Sequence, residues 1–337
     1  MQRTELRLSI PSKGRLSEET IEFLKACGIE IYKPNPRQYE GSIPSIPGLS
    51  VLFQRPTDIV ISMRNGSVDF GITGLDILQE YCGDNGEIMV LHEALGYGKC
   101  SLSLAVPENW ENINTVSDLQ DMAKKLGRPL RVATKFENLT SQFLAGKGIP
   151  FSIVSAEGTL EIAPAIGYAD MISDIVSSGQ TLRDNRLRQL NDGNILKSQS
   201  VLAANSQVLK QNPQALAVAQ QLLEFTEAYL RAHNNLSIFA NMRGKSPESI
   251  AQKVFLQKTI GGINGPTISK IIHQDGDPNW YALHIIVHRD ELFPAIKELR
   301  AIGGSGVVVA PVTYIFEEEP PRYKAMLDAL KTNNPQP

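Results

Sequence analysis

The stretch DMISDIVSSGQTL, residues 170–182, is an apolar run interrupted by two aspartates that then breaks into small hydrogen-bonding residues. A short, partly β-branched run closed by Ser-Ser-Gly predicts a strand over 171–176 that ends in a tight loop and leads into a helix. The same design recurs on either side. LRLSIP (6–11) leads into SKGRLS and a helix, VDFGIT (68–73) into GLDILQEY, and LRVAT (130–134) into KFENLT. Strands alternating with helical patterns predict an α/β fold with mostly parallel sheet covered by helices. Further strands are expected at 51–55, 101–107, 151–155 and 201–205. Helices are expected at 115–127, 138–147, 159–167 and from Pro213 to about Arg231. Ser17 is expected to cap the first helix, with Thr20 leaving the capping box incomplete and Gly28 closing its far end.

After His233-Asn234-Asn235 the pattern changes to strand (LSIFANMR), helix (SPESIAQKVFL), strand (PTISKIIH), strand (YALHIIVH), helix (RDELFPAIKELRAIG) and strand (GVVVAPVTYIF). That β-α-β-β-α-β order predicts a separate ferredoxin-like domain over 233–320. EEEPPRYKAMLDALK then predicts a helical extension with a polar tail, 321–337.

A chain of 337 residues is long for one compact core, so two or three domains are expected. A net charge of −3 gives no electrostatic reason for a nucleic-acid or anionic-membrane partner. The N-terminus shows no apolar leader and no run long enough for a membrane span, so a cytoplasmic protein is expected. Cys27, Cys82 and Cys100 lie far apart without CxxC spacing, which reads as reduced structural thiols. The five histidines show neither HxH nor HExxH spacing, which excludes the usual zinc-site patterns. No GxSxG, Walker A or strand-linked GxGxxG is present, which argues against hydrolase, P-loop and dinucleotide-binding classes.

What remains is chemistry at strand ends. Side chains alternate along a strand, so Asp170 and Asp174 are expected on one face, both near its carboxyl end, where open α/β sheets hold ligands. The following loop, Ser177 to Leu182, offers small residues and hydroxyls to an anion. Carboxylates beside such a loop suit a ligand that is both hydroxylated and phosphorylated; the plainer alternative is an aspartate that caps the next helix. Lys13 and Arg15, flanking Gly14 and followed by Leu16, bracket a polyphosphate or are incidental surface charges. Gly71, Thr73, Gly74 and Asp76 repeat the strand-to-helix turn, with Arg55 as an anion partner at the end of the preceding strand. Lys135 adds positive charge in ATKFENLT, where Asn138 is a candidate cap, and Glu157 and Glu161 flank another helix start.

In this order the motifs PSKGRLSEE, QRPTDI, VDFGITGLD, RVATKFENLT and ADMISDIVSSGQTL resemble the ATP phosphoribosyltransferase family, which catalyses the first step of histidine biosynthesis. GPTISKI, NWYALHIIV and ELRAIGGSGVVVAPV extend the resemblance through the C-terminal domain, as in the long form that needs no separate regulatory subunit. The resemblance implies two periplasmic-binding-protein-like domains around a cleft, with the chain crossing near residue 104 and returning near 190. Domain I would then span 1–104 and 191–232, and domain II 105–190. It also implies Mg²⁺-dependent attack of adenine N1 of ATP on C1′ of phosphoribosyl pyrophosphate (PRPP). Asp170, Asp174, Glu157, Ser177, Ser178, Gly179, Gln180, Thr181 and Leu182 would bind PRPP. Lys13, Arg15 and Arg55 would neutralise phosphate charge during catalysis. Gly14, Leu16, Gly71, Thr73, Gly74, Asp76 and Lys135 would bind ATP. Mg²⁺ would ride mainly on substrate phosphates, with Asp170 or Asp174 as the possible protein ligand. Histidine would inhibit through the C-terminal domain near Asn241 and Thr267, and the enzyme would be a homo-oligomer, a hexamer. Asn241 stands near a point where family members often show an acidic or other polar residue, and Phe136-Glu137 where Tyr-Pro is common. A non-catalytic sensor or regulatory paralogue on the same fold is the alternative.

Overall fold

The computed structural model describes residues 5–332 apart from 36, 84, 85, 157, 159, 264 and 273–275. The chain runs β1 (Leu6–Pro11), α1 (Gly14–Ala26), β2 (Glu40–Ser42), β3 (Leu49–Gln54), α2 (Pro56–Arg64), β4 (Phe70–Gly74), α3 (Leu75–Tyr81) and β5 (Ile88–His92). It continues through β6 (Cys100–Pro107), α4 (Asp118–Leu126), β7 (Leu130–Thr134), α5 (Glu137–Gly146), β8 (Phe151–Ser155), β9 (Met171–Val176), α6 (Gln180–Asp184) and β10 (Leu187–Ser198). Next come β11 (Ser200–Asn205), α7 (Ser206–Gln211), α8 (Pro213–His233), β12 (Asn235–Arg243), α9 (Pro247–Phe255) and β13 (Thr267–Lys270). The order closes with β14 (Trp280–His288), α10 (Leu292–Ala301), β15 (Ser305–Pro311) and α11 (Pro321–Thr332).

Two sheets share one plan. The first is ordered β2-β3-β1-β4-β11-β5 and the second β8-β7-β9-β6-β10. In the first, β1 pairs in parallel with β3 and β4, while β11 runs antiparallel to both β4 and β5. In the second, β7 pairs in parallel with β8 and β9, while β6 runs antiparallel to both β9 and β10. Each sheet therefore places one parallel strand (β1, β7) between two parallel neighbours (β3 and β4, β8 and β9), then an antiparallel strand (β11, β6), then a last strand (β5, β10). The antiparallel strands are the ones by which the chain changes sheet: β6 follows the crossing out and β11 follows the return. This doubly crossed arrangement is the periplasmic-binding-protein-like fold, and each sheet with its helices is one lobe.

Alternation along the strands explains why both faces of the second sheet are covered. Leu104, Val132 and Met171 face a cluster with Leu119 of α4 and Leu144 of α5. Their neighbours Ala105, Ala133 and Ile172 face Leu160 and Leu182 on the other side. Both lobes lie in one compact unit, the chain up to Leu223 together with α11; a second unit spans Glu224–Pro320. The second unit has the β-α-β-β-α-β order, an antiparallel sheet β13-β14-β12-β15, and α9 and α10 against one face. α11 packs on the first unit, with Met326 and Leu330 buried and Arg322 forked onto Glu93 at 2.9 and 2.5 Å. Among the described residues no helix is long and apolar enough to cross a membrane.

Four expectations change. Ser17 does not cap α1: the helix starts at Gly14 with Lys13 as N-cap residue, and Ser17 is buried within it. A helix over 159–167 is replaced, in its described part, by a single 3₁₀ turn at Leu160–Ile162. The twelve-residue β10 stands where no strand is expected, because its polar sequence RQLNDGN hides it. Register shifts between Gln189, Asn194 and Leu196 break the two-residue alternation by which a strand is read. Finally, sheet membership changes between His92 and Cys100 and again at Gln199, not near 104 and 190.

Candidate active site

Register brings the carboxyl ends of both sheets to one place. Gly74 at the end of β4 lies opposite Ser200 of β11, and Val176 at the end of β9 lies opposite Ser101 of β6. Ser198 pairs with Cys100, so only Gln199 separates the strand that ends in one lobe from the strand that begins in the other. The Leu75 N–H donates to the Gln199 carbonyl at 2.9 Å, tying the start of α3 to the return crossing. The result is a switch point of the kind where open sheets hold ligands. A cleft of about 480 Å³ opens there, lined by Lys99, Cys100, Ser101, Ser177, Lys197 and Ser198, among others. Burial and then Asp76 push the Cys100 thiol above its ordinary range, against opposing effects from Ser198 and Arg15, so it is not an activated nucleophile.

On the lobe of the second sheet, Lys135 is exposed just beyond β7 and Asp174 is half-buried near the end of β9. Burial raises the Asp174 carboxyl; nearby Glu161 pushes it further up, while the Ile175 N–H at 2.8 Å and Lys135 oppose. Beyond it, Ser177 and Ser178 are exposed, and Gly179 is the N-cap of α6 with φ +70°. That left-handed conformation favours glycine, and a Cβ here would approach the Arg183 guanidinium at 3.2 Å. Thr181 is exposed. Gln180 donates through its side-chain amide to Asp184 at 2.6 Å and accepts from Arg183 at 3.0 Å. Leu182 is buried in the core and anchors the loop from below, so its side chain is not presented to a ligand.

On the other lobe, Lys13, Gly14 and Arg15 are exposed at the start of α1, with Leu16 half-buried behind them. Arg15 forms an i,i+4 pair with the half-buried Glu19 at 3.5 Å. Arg55 is the exposed N-cap residue of α2. Gly71 and Thr73 differ from expectation. A Cβ on Gly71 would lie 2.7 Å from Ile59 and Met63, so this glycine lets α2 approach the sheet. Thr73 is fully buried, its hydroxyl directed at the Pro56 carbonyl at 3.4 Å. A Cβ on Gly74 would meet the Asp76 carboxylate. Asp76 is buried and accepts from the Ser198 hydroxyl at 2.5 Å.

A family model described as ATP phosphoribosyltransferase matches residues 55–227, and one described as the C-terminal domain of the same family matches 232–314. "ATP phosphoribosyltransferase 1, chloroplastic" of Arabidopsis thaliana is 43% identical over 98% of this chain and 82% of its own. The chain belongs to the ATP phosphoribosyltransferase family. It is thus a phosphoribosyltransferase, an enzyme, with the family's C-terminal domain. The ATP phosphoribosyltransferase of Nitrobacter winogradskyi is 31% identical over 98% of this chain and 99% of its own. Among solved structures, an ATP phosphoribosyl transferase (HisG:HisZ) complex from Thermotoga maritima superposes with a TM-score of 0.51 at 24% identity. It covers 66% of this chain and 98% of that one, and the likeness supports the fold.

Of the residues read as PRPP-binding, Asp170 lies away from the loop. Asp170 precedes β9, and its backbone N–H donates to the Arg131 carbonyl at the opposite end of the strand from Ser177. At about 3.3 Å per residue that end lies roughly 20 Å from the loop. The Asp170 carboxylate accepts from Arg128 at 2.6 and 2.8 Å and from Arg131 at 2.8 and 3.0 Å. Burial alone would raise it, but these bonds hold it well below the usual carboxylate range. Asp170 therefore braces the amino end of the second sheet. Glu157 lies outside the described residues. Asn241 and Thr267 lie on the second unit's sheet, on the face away from α9 and α10: Thr267 pairs with His284, and Asn241 with Ala282. The same face carries Phe239 stacked on His284 at 4.3 Å. Lys99, Lys197 and Arg183 went unread; Lys197 requires recognising β10 as a strand that returns to the cleft, which its polarity conceals, and Lys99 stands just ahead of β6 at the other crossing.

Proposed function

We propose that the enzyme joins adenine N1 of ATP to C1′ of PRPP. The N1 lone pair forms the new C–N bond, the C1′–O bond breaks with inversion, and pyrophosphate leaves with the electron pair. No proton need be removed from N1 first, so the reaction asks for positioning and charge stabilisation, not for a protein nucleophile. What supports this reading is the register that gathers exposed cations and a small-residue loop at one switch point. The backbone N–H groups and hydroxyls of Ser177, Ser178, Gly179, Gln180 and Thr181 would hold the 5′-phosphate. Asp174 would accept from the ribose hydroxyls. Lys13, Arg15 and Arg55 would take up phosphate charge from one lobe, and Lys99, Lys135 and Lys197 from the crossings and the other lobe.

Mg²⁺ fits the donor set, since Asp174 and Glu161 offer the hard carboxylate oxygens that ion prefers, whereas Asp170 is saturated by arginine. It would partly neutralise the phosphates. Inhibition by histidine at the open sheet face bearing Asn241 and Thr267, and assembly into a hexamer, belong to the same proposal. Purified protein given ATP, PRPP and Mg²⁺, with pyrophosphatase present, should form phosphoribosyl-ATP. Absence of product would favour the non-catalytic sensor. Product formation indifferent to millimolar histidine would remove only the regulatory part, and sedimentation tests the hexamer.

A further inference from the structure

Helix α3 carries two carboxylates four residues apart, Asp76 and Glu80, which share one face of the helix. Both are nearly buried, at 7% and 5% exposure. Buried carboxylates are costly without hydrogen-bond donors. Both find them in the lobe to which α3 does not belong. Asp76 accepts from Ser198 at the end of β10. Glu80 reaches α5: the Asn138 N–H donates to Oε1 at 2.8 Å and the Leu139 N–H to Oε2 at 3.0 Å. The Asn138 side-chain amide also donates to the Glu80 carbonyl at 3.1 Å.

Those N–H groups belong to the first turn of α5, which has no partner within its own helix. The local sequence does not supply one, because the N-cap residue is Phe136 and makes no side-chain cap. Glu80 thus caps a helix of the opposite lobe. Burial raises its carboxyl and neighbouring Glu137 adds to that, while the Leu139 and Asn138 donors oppose. The turn it holds is short and tied at both ends. The Phe136 N–H donates to the Thr134 hydroxyl at 2.9 Å, and the Phe136 ring is buried. Between them stands Lys135, exposed and close enough to Asp174 to act on its charge.

We propose that Glu80 is a positioning residue for the transfer reaction: by capping α5 across the cleft it fixes where Lys135 stands relative to the opposite lobe. This rests on the reading of Lys135 as a phosphate-facing cation. The carboxylate touches no substrate and acts through the β7–α5 turn. Because it joins the lobes at a point away from the two crossings, it also limits how far they can swing apart.

The test is a double-mutant cycle on the full-length enzyme, combining Glu80→Gln with Lys135→Ala. Glu80→Gln keeps the shape but loses the charge and one acceptor. It is expected to lower kcat/KM about tenfold, the scale set by losing a helix cap. Amide exchange at Asn138 and Leu139 should quicken while the melting temperature stays within a few degrees. In the Lys135→Ala background the same change should cost less than about twofold, because its route is already gone. If Glu80→Gln multiplies the Lys135→Ala loss in full, or speeds exchange with kcat/KM unchanged, the positioning role is overturned. Full activity of Lys135→Ala would instead remove the reading of Lys135. Glu80→Asp, which keeps the charge but withdraws it by one methylene, should fall between wild type and Gln; if Gln does not fold, Asp replaces it in the cycle and the same outcomes decide.

Discussion

A half-buried carboxylate near the end of a strand is destabilising unless donors come to meet it. Asp174 has the Ile175 N–H and the field of Lys135, with Glu161 working against both. That leaves accepting capacity facing the loop, which ribose hydroxyls would satisfy. Asp174→Ala should therefore weaken PRPP binding at least tenfold and change ATP binding less than threefold, read by calorimetry with each substrate alone. Equal losses would place the carboxylate elsewhere in the reaction. Asp170→Asn should do the reverse, lowering stability by about 1–3 kcal/mol in denaturant titrations through loss of charged hydrogen bonds, with kcat/KM within threefold of wild type. Both aspartates were legible as belonging to one strand's run, although Asp170 stands just before β9. Which end each occupies was not, because period-two alternation relates faces and says nothing of where pairing begins. Arg128 and Arg131, which decide the matter for Asp170, lie about forty positions away in sequence.

At the level of elements, the motifs that read most clearly were strand–loop–helix units whose apolar runs are short and whose loops open on glycine or serine. β1, β7 and β9 stand at the bounds read for them and β4 close to them, each followed by a helix, although α1 starts at Gly14 and not behind Ser17. Elements that depend on distant partners did not read. β10 takes its strand character from pairing with β6, although its own residues are polar and its register slips twice. The first turn of α5 is completed by a carboxylate 58 positions earlier. The α6 loop combines both kinds of information. Its glycine was legible, but the Arg183 that forks onto the Ser178 carbonyl at 3.2 Å and onto Gln180 was not. Gly179→Ala should place a methyl against that guanidinium in a left-handed conformation that costs about 1 kcal/mol. Expected is a several-fold rise in KM for PRPP with kcat and KM for ATP little changed. An unaltered KM for PRPP would mean that the loop does not hold the phosphate.

For the whole molecule, recurrence carried the architecture: repeated strand–loop–helix units imply repeated lobes, and the shared sheet order follows from one chain crossing twice. The crossing points were misjudged because the crossing residues carry the site's polar groups and so look like loops. One of those crossings also sets the behaviour of the chain in acid. His92 ends β5, is almost fully buried, and its Nδ1 accepts from the Ala94 N–H at 3.2 Å, which requires the neutral ring. Burial and then Arg322 lower its pKa from 6.5 to about 4, with Glu93 opposing. Below pH 6.5 the unfolded chain therefore takes up a proton that the folded chain refuses, so stability falls from pH 6.5 to about 4, by an order of 3 kcal/mol in total. Glu93, held at about 2 chiefly by Arg322, adds stability above its ordinary pKa of 4.5 that is lost as pH falls from there towards 2. The two windows adjoin, and both end on the contact that docks α11. In His92→Asn the side-chain oxygen can still accept from Ala94 but cannot be protonated in this range. Its unfolding free energy, measured by urea titration, should be nearly level between pH 6.5 and 4.5, where the wild type declines. An equally steep decline in the variant would assign the acid sensitivity to another group.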